Sequence, residues 1–230
     1  MASSTDLDAA RETLNAYWFS SLGTKLGWST LRDTDVPLSE ILYKPLAQRY
    51  WRVINDYATT GSGSSEPEGV VTGAVHGESV TKSTTPDVDD MNALLKAVDY
   101  AYHTGPKSGW MFNSNTMFRI AATVKSATYN TEPLWQPSLA AGIPDTLYGY
   151  RYWINNDMAS VGSNKTIMLF GDFSYFIVRY VGDPVLVRLN ERYAELGQTA
   201  FFLSGYMDSV VADANGSTYA PIKYARNFGS

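Results

Sequence analysis

The sequence has no cysteine and only two histidines in 230 residues. Without thiols there is no disulfide, no thiolate nucleophile and no cysteine-bound metal, a composition suited to a reducing cytoplasm. A structural zinc ion takes four Cys or His ligands, so His76 and His103 cannot hold one without carboxylates. No run of about eighteen apolar residues occurs, so no helix of this sequence is built to cross a bilayer, and no membrane partner is expected. The N-terminal segment carries Asp6, Asp8 and Glu12 and no apolar core, which is not the pattern of a secretory signal. The Gly-x-Ser-x-Gly nucleophile elbow and the Gly-Lys-Ser/Thr phosphate loop are missing too.

Charge is also scarce. Charged residues make up 18% of the chain, against roughly 25% in soluble domains. The net charge is −5 and no basic run occurs. Duplex DNA is bound largely through Lys and Arg on phosphates, so this balance argues against a dedicated nucleic-acid binder. A container that holds DNA without sticking to it tolerates such a lining. Aromatics, by contrast, reach 13%, with 16 Tyr, 9 Phe and 6 Trp. Many Tyr and Trp beside few charges suit a surface buried against partners. A tyrosine-rich monomer core accounts for the composition equally well.

Residues 6–17 read as a short amphipathic helix or an extended arm, and Gly23 and Gly27 then break the chain. Polar residues at 33–35 followed by Pro37 mark a helix start. Leu38, Ile41, Leu42, Leu46, Trp51, Val53, Ile54 and Tyr57 follow at three- and four-residue spacing, one apolar stripe on a helix. Pro45 is expected to kink that helix or delay its regular start. The polar Gly61–Gly69 stretch reads as a flexible connector and a domain boundary. Short strands are expected between 70 and 86, then a second helix behind Asp87, Asp89 and Asp90, stopped by Gly105-Pro106. Its buried face is Met91, Leu94, Leu95, Val98, Ala101 and Tyr102. Gly109–Phe112 reads as a strand, and Asn113 or Ser114 caps a third helix with Met117, Ile120, Ala121 and Val124 inward. From 147 the period becomes two, with strands at 166–170, 175–181, 185–189, 201–203, 209–212 and 220–225 separated by Gly-Asp, Gly-Asp-Pro and Asn215-Gly216 turns.

None of this assembles a reacting centre. His103 is placed at a helix C-terminus, a structural position favourable to positive charge. His76 has no Ser or acid at a recognisable motif spacing. In Gly61–Gly69, Glu66 stands where a dinucleotide loop needs glycine, and Glu66 and Glu68 would repel a phosphate. Asp87, Asp89 and Asp90 are explained by helix capping better than by a cation. Asn164-Lys165-Thr166 and Asn215-Gly216-Ser217 match glycosylation sequons but read as polar turns. The Tyr and Trp residues of 147–180 suit core or subunit contact more than a ligand pocket. No catalytic, cofactor-binding or metal-binding residue is assigned, and no enzyme is expected.

Six segments, in order, resemble the tailed-phage major capsid proteins of the Hong Kong 97-like family. Ser29-Thr30-Leu31-Arg32-Asp33 resembles the segment before that family's long spine helix, and the stripe from Leu38 to Tyr57 resembles the helix itself. Gly61–Val70 resembles the link that follows. Trp110-Met111-Phe112-Asn113 leads into a helix, and Pro137, Gly142 and Leu147-Tyr148-Gly149 precede a strand. Phe170-Gly171-Asp172-Phe173 is the last segment.

The resemblance implies an α+β, Hong Kong 97-like capsid fold. Its peripheral lobe, a spine helix at about 38–59 plus long antiparallel strands, would come from 1–68 and 188–230. Its axial lobe, a sheet flanked by helices, would come from 69–187. The implied function is a structural subunit of an icosahedral shell, assembling with copies of itself into pentamers and hexamers. Such a shell encloses DNA without specific recognition, in a virion made in the host cytoplasm. Scaffolding, portal or decoration proteins are possible further partners. In the family an N-terminal arm and a long hairpin loop precede the position of Thr24-Lys25, where residues 1–23 stand here, and no lysine–asparagine cross-link is assigned. An encapsulin-like compartment shell is the alternative on the same fold, and an aromatic-rich ligand-binding module the alternative from another class.

Overall fold

The computed structural model describes residues 13–33, 38–80, 86–122, 124–126, 130–133, 146–162, 164–212 and 219–227. The expected helix start at 34–37, the Pro137 and Gly142 positions, the Asn215-Gly216 turn and most of the 6–17 element lie outside them. The chain begins with strands β1 (Tyr17–Ser20) and β2 (Thr24–Gly27), then helices α1 (Trp28–Asp33), α2 (Leu38–Thr60) and α3 (Val70–Gly73). Next come β3 (Val75–Val80), α4 (Val88–Ala97), β4 (Ser108–Phe112), α5 (Ser114–Ala122), β5 (Val124–Ser126) and β6 (Asn130–Pro133). The last strands are β7 (Thr146–Leu147), β8 (Tyr150–Ile154), β9 (Lys165–Asp172), β10 (Phe176–Leu189), β11 (Gln198–Val211) and β12 (Ile222–Asn227). Two units result, one from 14–69 and 178–210, the other from 70–177 and 211–230.

The 14–69/178–210 unit is one sheet with the short α1 and the long α2 as its helices. β11 pairs with β10, and on its other edge with β1 and then β2, both antiparallel. Phe19, Phe201, Leu203 and Met207 meet Leu46, Tyr50 and Ile54 of α2 in one apolar cluster. Those three helix residues, each four apart, are at most 3% exposed. The expected stripe is therefore partly wrong. Ile41 and Trp51 are 53% and 46% exposed, while Tyr50, left out of it, is buried. At about 100° per residue, 46, 50, 54 and 57 share one narrow sector and 41 and 51 fall outside it. Pro45 lies on the exposed side, and the helix runs through it without restarting. The missing N–H costs a single backbone bond, which the surrounding turns of a long, well-packed helix absorb.

The 61–69 stretch is not the flexible connector its composition suggests. Gly61 N–H donates to Tyr57 O, Gly63 N–H to Pro67 O and Gly69 N–H to Gly61 O, at 2.9, 3.2 and 2.9 Å. Ser62 N–H donates to Glu66 Oε1 at 2.8 Å, and the Ser62 hydroxyl, then this backbone bond, draw the Glu66 carboxyl below its usual range. Glu68 N–H donates to Ser209 O at 3.1 Å, and Ser209 Oγ donates to Glu68 O at 2.8 Å. Five of the loop's amides are thus bonded, and the loop is tied to β11.

The 70–177/211–230 unit centres on a mixed six-stranded sheet in the order β3-β12-β9-β4-β8-β7. Trp110, Phe112, Met168 and Phe170 point to one face, against Met91, Leu94 and Val98 of the α4 region and Ile120 of α5. Leu169 and Ile222 point to the other, against Val70, Ala74, Met158 and Phe173. With both faces covered, Ile167–Asp172 of β9 is a continuous buried run. β12 runs parallel to β3 and antiparallel to β9 in this sheet. The sequence expectation placed 188–230 entirely with the spine helix. Residues 222–227 pair here because Ile222 and Ala225 fill the two faces of this core.

Capping sets the helix starts. Asp87 Oδ1 accepts from Val88 N–H at 2.7 Å and Asp90 Oδ2 accepts from Asp87 N–H at 2.8 Å, within a capping box. The helix ends earlier than expected, at Ala97. Asp99 Oδ1 accepts from Ala101 N–H at 2.9 Å and starts a separate 3₁₀ turn, a local bond that competes with continuing the helix. The Tyr148-Gly149 pair between β7 and β8 has φ of 54° and 80°, the two positive values a type I′ hairpin turn requires. Gly171 sits at φ 152°, where a Cβ would lie 2.1 Å from Pro221 O. The Phe-Gly-Asp-Phe segment needs that glycine so that the chain entering β12 can pass.

Two long strands replace four short expected ones. β10 continues through Gly182-Asp183-Pro184, read as a turn, and β11 spans both segments expected at 201–203 and 209–212. β10 is an edge strand, where a proline's missing N–H can face away from the ladder. At 70–86 the expected strands become the short α3 and β3.

Candidate assembly surface

The polar groups that could have carried chemistry are occupied structurally. His103 Nδ1 lies 3.0 Å from Tyr150 Oη and Nε2 lies 3.2 Å from Val98 O. A carbonyl only accepts, so Nε2–H donates to Val98 O, while Nδ1 shares a hydrogen bond with the Tyr150 hydroxyl. His103 sits at the C-terminal cap of the short 3₁₀ turn Tyr100–Tyr102 and bridges that turn to β8. The structure does bring Ser79 to His76, with Oγ 3.2 Å from Nε2. A register shift opposite Gly77 in the β3–β12 ladder puts exposed His76 and half-buried Ser79 on one side, which spacing alone did not reveal. Asp87, Asp89 and Asp90 stay at the α4 N-terminus, where Asp87 and Asp90 cap. Burial, then the Asp89 charge, raises the Tyr148 phenol, against an Asn92 hydrogen bond that lowers it. Among the described residues, no group of three or more His, Asp or Glu is placed to hold a metal ion.

The segments singled out by their order are architectural. Trp110 is buried and its Nε1–H donates to Leu147 O at 3.1 Å, joining β4 to the end of β7. Asn113 Oδ1 accepts from Asn115 N–H at 2.9 Å, and its Nδ2 donates to Met158 O at 2.9 Å. One side chain therefore starts α5 and pins the loop after β8. Asp172 Oδ1 accepts from Ser174 N–H at 2.9 Å, starting the turn into β10. Of the aromatics at 147–180, Tyr150, Tyr152 and Phe170 pack in one core and Trp153, Phe173 and Phe176 in the other.

What remains unabsorbed is apolar surface. Trp18 lies opposite Tyr206 in the β1–β11 register, 56% and 46% exposed, while their neighbours Phe19 and Met207 turn into the core. Strand alternation thus puts a cross-strand aromatic pair on the sheet face away from α2. On the opposite side Trp51 meets Tyr180 edge-on at 5.8 Å, both half-exposed. In the other unit Tyr100 and Phe118 are 76% and 69% exposed. Exposed apolar side chains gathered in this way are the usual mark of surface meant to be covered by another molecule. Trp18 was missed because nothing local in the sequence announces β1. Its pairing partner lies at the far end of the chain.

Charge on this surface is mixed. Lys25 Nζ lies 4.2 Å from the Tyr193 ring centroid, and the Arg188 guanidinium 5.7 Å from that of Phe201. Arg179 Nη1 donates to Leu14 O at 2.7 Å, fixing the chain just before β1.

Comparison with known proteins places this architecture. The phage capsid family matches residues 2–219. No curated protein sequence matches the chain. Among solved structures, the capsid of an empty GTA particle, computed with C5 symmetry, matches with a TM-score of 0.78 at 21% identity. That match covers 100% of this chain and 81% of the other. A structure from Mycobacterium phage Bobi matches at TM-score 0.67 and 16% identity, over 100% of this chain and 81% of its own. The encapsulin complex from Synechococcus elongatus matches at TM-score 0.60 and 14% identity, over 93% and 73%. The fold is thus the α+β, Hong Kong 97-like capsid fold.

Proposed function

Since the chain belongs to the phage capsid family, we propose that it closes an icosahedral shell by packing against copies of itself as pentamers and hexamers. The observation that carries this reading is the apolar surface left open on single chains, including the Trp18–Tyr206 pair on the β1–β11 sheet. Head-to-tail contacts around a ring are heterologous, so two different patches of each subunit must match. A standard interface buries roughly 1,600 Å², and each subunit makes several. Modest pairwise affinity then suffices, because closure makes every later contact intramolecular. In this reading the 14–69/178–210 unit supplies the peripheral lobe and the rest the axial lobe. The subunit is made in the host cytoplasm and ends in the virion, works without catalysis, and meets scaffolding and portal proteins during assembly.

The encapsulin fold likeness favours one second reading, a shell around protein cargo. Electron microscopy of the purified full-length protein, alone and co-expressed with its genomic neighbours, tests both. Rings or closed shells are the expected result. A strictly monomeric species under all these conditions overturns the shell reading, and shells filled with an enzyme in place of nucleic acid favour the compartment.

A further inference from the structure

Although the chain is acidic, with a net charge of −5, its cations are not evenly spread. Lys44, Arg49 and Arg52 all project from the exposed side of α2. At 3.6 residues per turn they fall within a sector of about 140° that also holds Gln48 and Asn55, along about 12 Å of helix axis. Arg49 Nη1 donates to Thr24 Oγ1 at 3.2 Å, which steadies the guanidinium and leaves its other N–H groups outward. Asp56 shares the face, but its carboxylate accepts from the Thr60 hydroxyl at 3.2 Å, at the C-terminal end of the row.

A band of cations and amide side chains along one helix face, shared with the exposed Ile41 and Pro45, matches a partner that is itself a line of anions. Duplex nucleic acid carries one charge per roughly 1.7 Å of axis and is held through Lys and Arg on phosphates without any need for shaped pockets. We infer that the exposed face of α2 is a sequence-independent contact for the phosphate backbone of duplex DNA. The inference rests on the capsid reading, which supplies an enclosed nucleic acid. It also refines the conclusion from net charge: a chain that is acidic overall carries one basic stripe, too short for tight binding alone and repeated in every copy of the shell.

The test is fluorescence anisotropy of a labelled duplex of about 30 bp, titrated with full-length protein from roughly 20 to 200 mM salt. Three neutralised phosphates give a log–log slope of about −2.7, so affinity should fall about 500-fold over that range for any duplex sequence. Lys44→Gln with Arg52→Gln spares the Arg49–Thr24 bond and should leave a fall of about 8-fold. Lys96→Gln with Lys107→Gln, exposed cations of the other unit, should leave the full fall. Circular dichroism melts establish that each variant is folded. Absence of binding at the lowest salt, or an unchanged slope in the Lys44/Arg52 variant, overturns the inference. It is overturned equally if that variant weakens chain–chain association in sedimentation while DNA binding stays the same, which makes the face a contact between copies. Failure here is separable from failure of the capsid reading. Shells on the grid without duplex binding sink this inference alone, and salt-dependent binding by a chain that never assembles sinks the shell.

Discussion

Tyr50 and Trp51 are adjacent in sequence, touch edge-on with ring centroids 5.4 Å apart, and have opposite fates. Tyr50 is 1% exposed beneath the sheet, and Trp51 is 46% exposed beside Tyr180. Size and apolarity alone would rank the tryptophan as the greater anchor, which is why the sequence stripe included it and omitted its neighbour. Helical phase decides otherwise. Tyr50→Ala should cost about 3–5 kcal/mol in equilibrium urea unfolding, as for a large buried aromatic. Trp51→Ala forfeits mainly two edge-to-face contacts, with Tyr50 and Tyr180, and about 1–2 kcal/mol is expected. Equal losses for the two, or a larger loss for Trp51, would overturn the assignment of faces.

At the scale of elements, α2 and β10 share a titrating pair. Burial, and then the neighbouring Tyr180, raises the Tyr50 phenol above its usual range, and burial raises Tyr180 itself. A folded-state pKa above the unfolded one favours the protonated, folded form. Its stabilising contribution is complete below about pH 10 and is lost as the pH climbs through that value toward the raised pKa. Thermal melts of the wild type should therefore fall in Tm above about pH 10, and Tyr180→Phe should fall less steeply. A flat profile in the wild type would remove the pair from the account. The elements also show what was legible. The α4 start at Asp87, the α5 start at Asn113 and the buried runs of β4 and β9 could be read locally, because caps and apolar runs are written within a few residues. Strands β1 and β2 could not, since four residues become a strand only by pairing with β11, about 180 positions away. β10 misled for the converse reason. Gly182-Asp183-Pro184 has turn chemistry, and the continuous partner strand overrides it.

For the whole molecule, family order carried more than composition did. The aromatic excess was compatible with a monomer core or with interfaces, and the structure divides it between core and open surface. Trp110, Phe112 and Phe170 are core, and Trp18, Tyr206 and Phe118 are left outside. Replacing the outward pair, Trp18→Ser with Tyr206→Ser, should leave the monomer fold within about 1 kcal/mol, the usual worth of a cross-strand pair. Sedimentation velocity should nonetheless show rings and shells giving way to single chains. Intact assemblies from that variant would move the assembly surface elsewhere on the subunit.

The loop at 61–69 has one practical consequence. Rich in Gly and Ser, it is where a protease would be expected to nick the chain or an engineer to splice in a display peptide. Proteases bind an extended backbone whose amides are free, and here the amides of Gly61, Ser62, Gly63, Glu68 and Gly69 are already taken by Tyr57, Glu66, Pro67, Ser209 and Gly61. Cleavage should begin at other sites first, and a tag inserted there would unfasten the end of α2 from β11 where it was meant only to decorate.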